Sequence, residues 1–353
     1  MLEEWLASEI VSDPAKACLG GFAIGLAFGA FAQASRFCLR SACLEFWRMT
    51  MGRSVAVWLI VFGAALTAVQ VLFLGGWIDA SEVRQLSSVG TLSGAIVGGL
   101  MFGIGMILAR GCASRLLVLS GTGNMRALVT GLIVTVVAQA ALSGVLSPLR
   151  VALSSLWSIG PEARNLMQQI PEHSGIVLGI ATLMLAVWLA ARERLGPGTA
   201  LISFALGLTI AAGWGFTATL SRVSFSPVAI NSVSFTGPSA DTLMALITSP
   251  SMTLEFSLGL VPGVFAGSFL SAILRREFKM QVFDAHTGMM RYLAGAVLMG
   301  FGGMLAGGCA VGAGVTGGSV MSLTAWAALF CMWVGAGLAI GFESLKQPRN
   351  AIA

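Results

Sequence analysis

Residues 98–121, GGLMFGIGMILARGCASRLLVLSG, and residues 295–318, GAVLMGFGGMLAGGCAVGAGVTGG, are two copies of one element. Set over each other at an offset of 197, they agree at ten of 24 positions: Gly98, Gly103, Gly105, Leu108, Ala109, Gly111, Cys112, Ala113, Val118 and Gly121 of the first copy. Each copy is an apolar run that ends in LAxGCA and passes into a mixture of small, polar and apolar residues. The run suits a membrane helix, which needs about 20 apolar residues. The mixture is too short to cross and too apolar for an ordinary loop. Broken backbone at membrane depth survives only when buried in protein or lining a water-filled cavity. Interrupted helices, present twice, are the expectation.

The rest of the chain agrees. Of 353 residues, 56% are hydrophobic and 10% charged, against roughly 25% charged in a soluble domain. That excludes a disordered chain and a soluble enzyme. Nine spans are predicted, at 16–34, 53–75, 90–109, 125–146, 174–191, 198–216, 253–274, 289–306 and 322–342. Four stretches between them read as re-entrant or broken helices: 35–49, 110–124, 217–234 and 307–321. The expected fold class is an all-α polytopic membrane protein, an hourglass of nine helices and four short broken ones.

Residues 1–353 then form a single transmembrane domain, with 16–146 as a first repeat, 174–191 as a spacer helix and 198–342 as a second repeat. An odd number of spans separates equivalent elements, so the second repeat is inverted. Inverted repeats mark many secondary transporters, whose substrate site lies near the midplane at the repeat interface. Fifteen of the 20 Lys and Arg fall on the side opposite the N-terminus. The positive-inside rule puts that side and the C-terminus in the cytoplasm and the N-terminus outside, which for a bacterial cell means the inner membrane and the periplasm. The acid-rich start is unlike a signal peptide.

Chemistry concentrates at the breaks. Cys38, Cys112, Ser224 and Cys309 occupy corresponding places, Ser224 through a weaker echo of Ser35-Arg36-Phe37-Cys38 in Ser221-Arg222-Val223-Ser224. Three thiols and a hydroxyl could ring a pathway: a neutral S–H is a weak donor and a soft, polarizable contact. Cys18, Cys43 and Cys331 lack a repeat partner and read as packing residues. Arginine inside a membrane is costly, yet Arg36, Arg40, Arg110, Arg115 and Arg222 sit within or beside the breaks. The guanidinium fork matches oxyanions; Arg36, Arg110 and Arg222 are the pathway candidates. Ser120, Thr122 and Asn124 form a small polar turn whose repeat mate is Thr316-Gly317-Gly318-Ser319. No P-loop motif occurs, His173 and His286 are far apart, and no metal, cofactor or nucleic acid is expected.

SRFCL at 35–39, LARGCA at 108–113 and LAGGCA at 305–310 resemble the motifs of the YeeE/YedE family of sulfur-transport membrane proteins, over roughly residues 16–342. The resemblance implies uptake of thiosulfate or a related inorganic sulfur anion past Cys38, Cys112 and Cys309. It also implies a small cytoplasmic sulfur-carrier protein as a partner. An alternative, from another class, is a membrane-embedded sulfurtransferase that forms a persulfide on Cys112.

Overall fold

With no water in hydrocarbon, every backbone N–H and C=O has to find its partner within its own segment, and helices carry nearly all of this chain for that reason. The computed structural model describes residues 12–171, 173–224, 228–248, 254–282 and 288–346. The acid-rich start of the chain, His286 and Arg349 lie outside them. Among the described residues, nine helical stretches are long and apolar enough to cross a membrane. This is a multi-pass, all-α membrane protein.

In chain order the helices are α1 Asp13–Ser35, α2 Leu39–Trp47, α3 Arg53–Leu74, α4 Leu92–Leu108, α5 Ala113–Gly121 and α6 Met125–Ser143. They continue as α7 Ser147–Ser155, α8 Ser174–Arg192, α9 Pro197–Val223, α10 Thr236–Thr248, α11 Phe256–Leu274 and α12 Met289–Leu305. A π-helix, Ala310–Thr316, with a last turn Gly317–Ser319, precedes α13 Leu323–Lys346. Proline opens several of these helices, at Pro14, Pro148 and Pro197, where its missing N–H costs nothing. A two-residue antiparallel pair, Gly90–Thr91 with Ser158–Ile159, ties the 147–173 connection to the start of α4.

Three of the four expected breaks lie where the sequence puts them. The fourth is displaced. The stretch 217–234 begins as helix, since α9 runs on to Val223. TATLSRV holds no Gly or Pro, and Thr217 and Thr219 donate to Gly213 O and Gly215 O at 2.9 and 2.8 Å, which spares their hydroxyls any need of a break. Residues 225–227 lie outside the described residues. The short helix is α10, thirteen residues long, with Gly237-Pro238 in its first turn.

Helices α1–α6 pack extensively against α9–α13. The most extensive contact is α1 with α11, followed by α4 with α13 and α4 with α12; α9 meets α3 and α1, α12 meets α6, and the spacer α8 lies on α3. Exchanging each helix for its repeat mate maps these pairs onto one another: α1·α11 becomes α9·α3, and α4·α13 becomes α12·α6. Helix contact in a membrane lacks a hydrophobic driving force and depends on close approach at small residues. Gly21, Gly25 and Gly29 of α1 rest on the carbonyls of Phe256, Leu260 and Val264, while Gly259, Gly263 and Gly267 of α11 rest on those of Cys18, Phe22 and Leu26. Six glycines thus bring two backbones into contact.

Candidate functional site

The three repeat-related cysteines arise from one local construction. Each long helix stops at a residue in the left-handed region: Arg36 at φ 56°, Arg110 at φ 57°, Gly307 at φ 81°. The next residue closes a Schellman turn, by Phe37 N–H to Ala32 O at 3.2 Å, Gly111 N–H to Met106 O at 3.1 Å and Gly308 N–H to Gly303 O at 2.8 Å. The residue after that is Cys38, Cys112 or Cys309. Each is extended, and each serves as the N-cap of a new short helix, α2, α5 or the π-helix. Each cysteine therefore stands between a helix C-terminus and a helix N-terminus, where free amide N–H groups and the positive end of the dipole collect.

The thiols converge. Cys38 and Cys309 both lie within electrostatic reach of Cys112. Cys38 is 9% exposed, Cys112 1% and Cys309 buried outright. Cys112 Sγ lies 3.3 Å from Ser114 Oγ and faces the Arg115 N–H. Three residues into the other helix, the Gly312 N–H donates to Cys309 Sγ at 3.4 Å. The same N3 amide thus addresses the N-cap sulfur in both halves.

The short helices that follow Cys112 and Cys309 differ in length. Counted from its cysteine, α5 takes nine residues, and Thr122 then Gly123 (φ 92°) follow. The mate takes ten, followed by Val320 and Met321 (φ 57°). The π-helix absorbs the additional residue, its wider turn visible in Ala313 N–H and Gly314 N–H both directed at Cys309 O.

The arginines divide between two ends of the molecule. Arg36 pairs with Glu277 at 3.4 Å. Exposed Arg110 shares its end with Arg40, Arg291 and Glu343, and Arg291 pairs with Glu343. Glu277, Arg291 and Glu343 are members of this end that sequence reasoning missed; they are spread along the chain and no motif marks them. At the opposite end Arg222 donates to Gly76 O at 2.9 Å and lines a cleft of about 360 Å³ with Gln70, Asp79 and Met167. The N–H and hydroxyl of Ser81 hold the Asp79 carboxyl below the usual carboxylate range, so this cleft carries both signs of charge at neutral pH. Buried Gln70 donates to Ser319 O at 2.8 Å and ties the cleft to the last turn of the second-half short helix.

The remaining candidates stand away from the thiols. Ser224 caps the C-terminus of α9 and donates to Asp13 at 2.7 Å, at the Arg222 end. It is not the N-cap of a short helix as the three cysteines are. The N-cap of the fourth short helix, α10, is Phe235, to whose carbonyl Ser239 N–H donates at 2.9 Å. The repeat offset of 197 applied to Cys38 lands on this residue, a signal present in the sequence. Ser120, Thr122 and Asn124 lie at the far end of α5 from Cys112. Ser120 and Thr122 donate to Leu117 O and Leu119 O, and Asn124 caps α6 while its amide donates to Gln281. They terminate one helix and start the next.

A family model described as "Sulphur transport" matches residues 34–338, an interval that contains all three cysteine turns. The chain belongs to this sulphur transport family. Thiosulfate transporter TsuA of Escherichia coli (strain K12) is 26% identical, over 94% of this chain and 96% of that protein. A thiosulfate transporter TsuA of Spirochaeta thermophila is 27% identical, over 87% and 93% respectively. Similarity thus runs end to end and is not confined to the cysteine motifs. Transport of a sulphur compound across a membrane is the activity of the family to which this chain belongs.

Arg110 offers a test that separates function from fold. A non-glycine residue in the left-handed region costs about 1–2 kcal/mol, and Gly307 shows what the turn itself prefers. Arg110→Gly is expected to leave thermal stability equal or higher in a detergent melting assay. The same variant loses one exposed positive charge, worth at most about 1 kcal/mol, so anion uptake falls by up to about fivefold. A drop in melting temperature would show that the guanidinium serves the fold instead.

Proposed function

We propose that the protein takes up thiosulfate, or a closely related inorganic sulfur anion, through a central pathway lined by Cys38, Cys112 and Cys309. The observation that carries this is the threefold recurrence of one turn that places a thiol at the N-cap of a short helix, with Cys38 and Cys309 both in reach of Cys112. Amide N–H groups and the helix dipole favour the anion's charge, and neutral thiols offer soft contact to its sulfur without a full charge that would trap it. The names of the two relatives point to the same cargo.

The two halves act as inverted repeats in the bacterial inner membrane. The Arg110 end faces the cytoplasm with the C-terminus, and the Asp13 end faces the periplasm. Arg222 gathers the anion outside; Arg36 and Arg110 receive it inside, where a small sulfur-carrier protein takes it on. Transfer by contact is favoured over persulfide formation. A cation beside a thiol favours the nucleophilic thiolate, whereas the groups that hydrogen-bond Cys112 are a hydroxyl and a backbone N–H.

Proteoliposomes holding the purified protein are expected to accumulate radiolabelled thiosulfate down its gradient, and empty liposomes are not. Uptake no faster than in empty liposomes would defeat the proposal. A persulfide found on Cys112 by mass spectrometry during turnover would favour the sulfurtransferase.

A further inference from the structure

The fourth short helix has no thiol at its N-cap, yet it is not inert. Thr236, its first residue, is 1% exposed, and its Oγ1 has no hydrogen-bond partner among the described residues. A buried hydroxyl without a partner is a costly feature. The backbone N–H groups of Thr236 and Gly237 also lack an intrahelical acceptor, because the first turn of any helix leaves its donors free. Pro238, next in line, has no N–H to leave orphaned. Three donors therefore collect at one helix N-terminus.

That N-terminus is fixed against the cysteine turns. Thr316 Oγ1 of the π-helix donates to Val233 O at 2.6 Å. Ser234 stands against Gly312, whose N–H donates to Cys309 Sγ. The Thr236 side chain lies against Gly303, which accepts the turn-closing N–H of Gly308 just before Cys309. On its other side Thr236 lines a cavity of about 160 Å³ together with Ala113, the neighbour of Cys112. The donors thus lie beside the Cys309 element and line a cavity shared with α5, the helix that Cys112 caps, and they are neutral.

Resting on the transport reading above, we propose that the N-terminus of α10, through Thr236 Oγ1 and the amides of Thr236 and Gly237, is a subsite for the oxygen atoms of the transported anion. Thiols contact the sulfur end and hard N–H and O–H donors contact the oxygen end, so that the two kinds of group together recognise an anion carrying both.

The test is uptake kinetics in proteoliposomes for the parent, Thr236→Val, Thr236→Ala and Thr236→Ser. Removing one hydrogen bond to a charged group raises the half-saturation concentration for thiosulfate about tenfold or more. That rise is expected in the Val and Ala variants, while the Ser variant stays near the parent. Hydrosulfide, which has no oxygen, should compete equally well against all four proteins. Parental half-saturation in both Val and Ala variants, or equal impairment in Ser, would overturn the subsite. A rise for hydrosulfide matching that for thiosulfate would do the same. A parent that transports no thiosulfate fails one step earlier, and both proposals fall together.

Discussion

Cys112→Ala is expected to reduce thiosulfate uptake by about 10- to 100-fold, the equivalent of losing one hydrogen bond to a charged group in a site closed to water. Cys112 is the thiol with both of the others in reach, so its removal opens a gap in the middle of the series. Alanine is small and apolar, and the turn that positions it is made of backbone bonds from Gly111 to Met106 and from Arg110 to Ile107. The fold should survive, with melting temperature and elution profile unchanged. Cys112→Ser restores a hydrogen-bonding group and should recover part of the rate. Parental uptake by the alanine variant would remove Cys112 from the pathway. Full activity in serine would show that soft sulfur contact is dispensable.

The second large effect concerns assembly. Gly25→Leu places a side chain onto the carbonyl of Leu260, where the α1 and α11 backbones touch. Overpacking costs about 1–3 kcal/mol where neighbours can yield. Here the neighbour is helix backbone, and five other glycines hold the same close approach, so the helices have to separate along their whole contact. The variant is expected to be degraded in cells or to elute as aggregate. Leu19→Ala, on the same helix but 53% exposed to the surroundings, should behave as the parent. A monodisperse Gly25→Leu protein with normal uptake would show that α1 and α11 need not touch.

What the chain discloses about this site depends on whether a residue type carries its own geometry. LARGCA and LAGGCA are legible because the Gly before each Cys, the repeated spacing and the apolar run all agree, and the two turns have the same hydrogen bonds. The left-handed backbone at Arg36 and Arg110 is not legible, since arginine gives no sign of positive φ. Ser224 looks like a counterpart of Cys38 only through the four-letter likeness of SRFC and SRVS. Whether α9 stops before or after it depends on threonine hydroxyls that bond back into the helix, which composition does not reveal. Phe235 lies at the correct offset but carries none of the chemistry for which a sequence is searched. Thr236 is conspicuous only once its hydroxyl is known to be buried and without a partner. The additional residue of the π-helix is hidden for another reason: Gly121 overlies Gly318, so the aligned letters end in register.

That additional residue has an energetic meaning. If the halves were true copies, turning the molecule over in the membrane would leave it unchanged, and its inward-open and outward-open forms would be degenerate. The π-helix breaks this equivalence beside Cys309, since α5 beside Cys112 has nothing like it. On the transport reading proposed above, two such forms would differ in energy. On that reading the inserted residue is one feature that biases which side of the membrane the protein faces at rest.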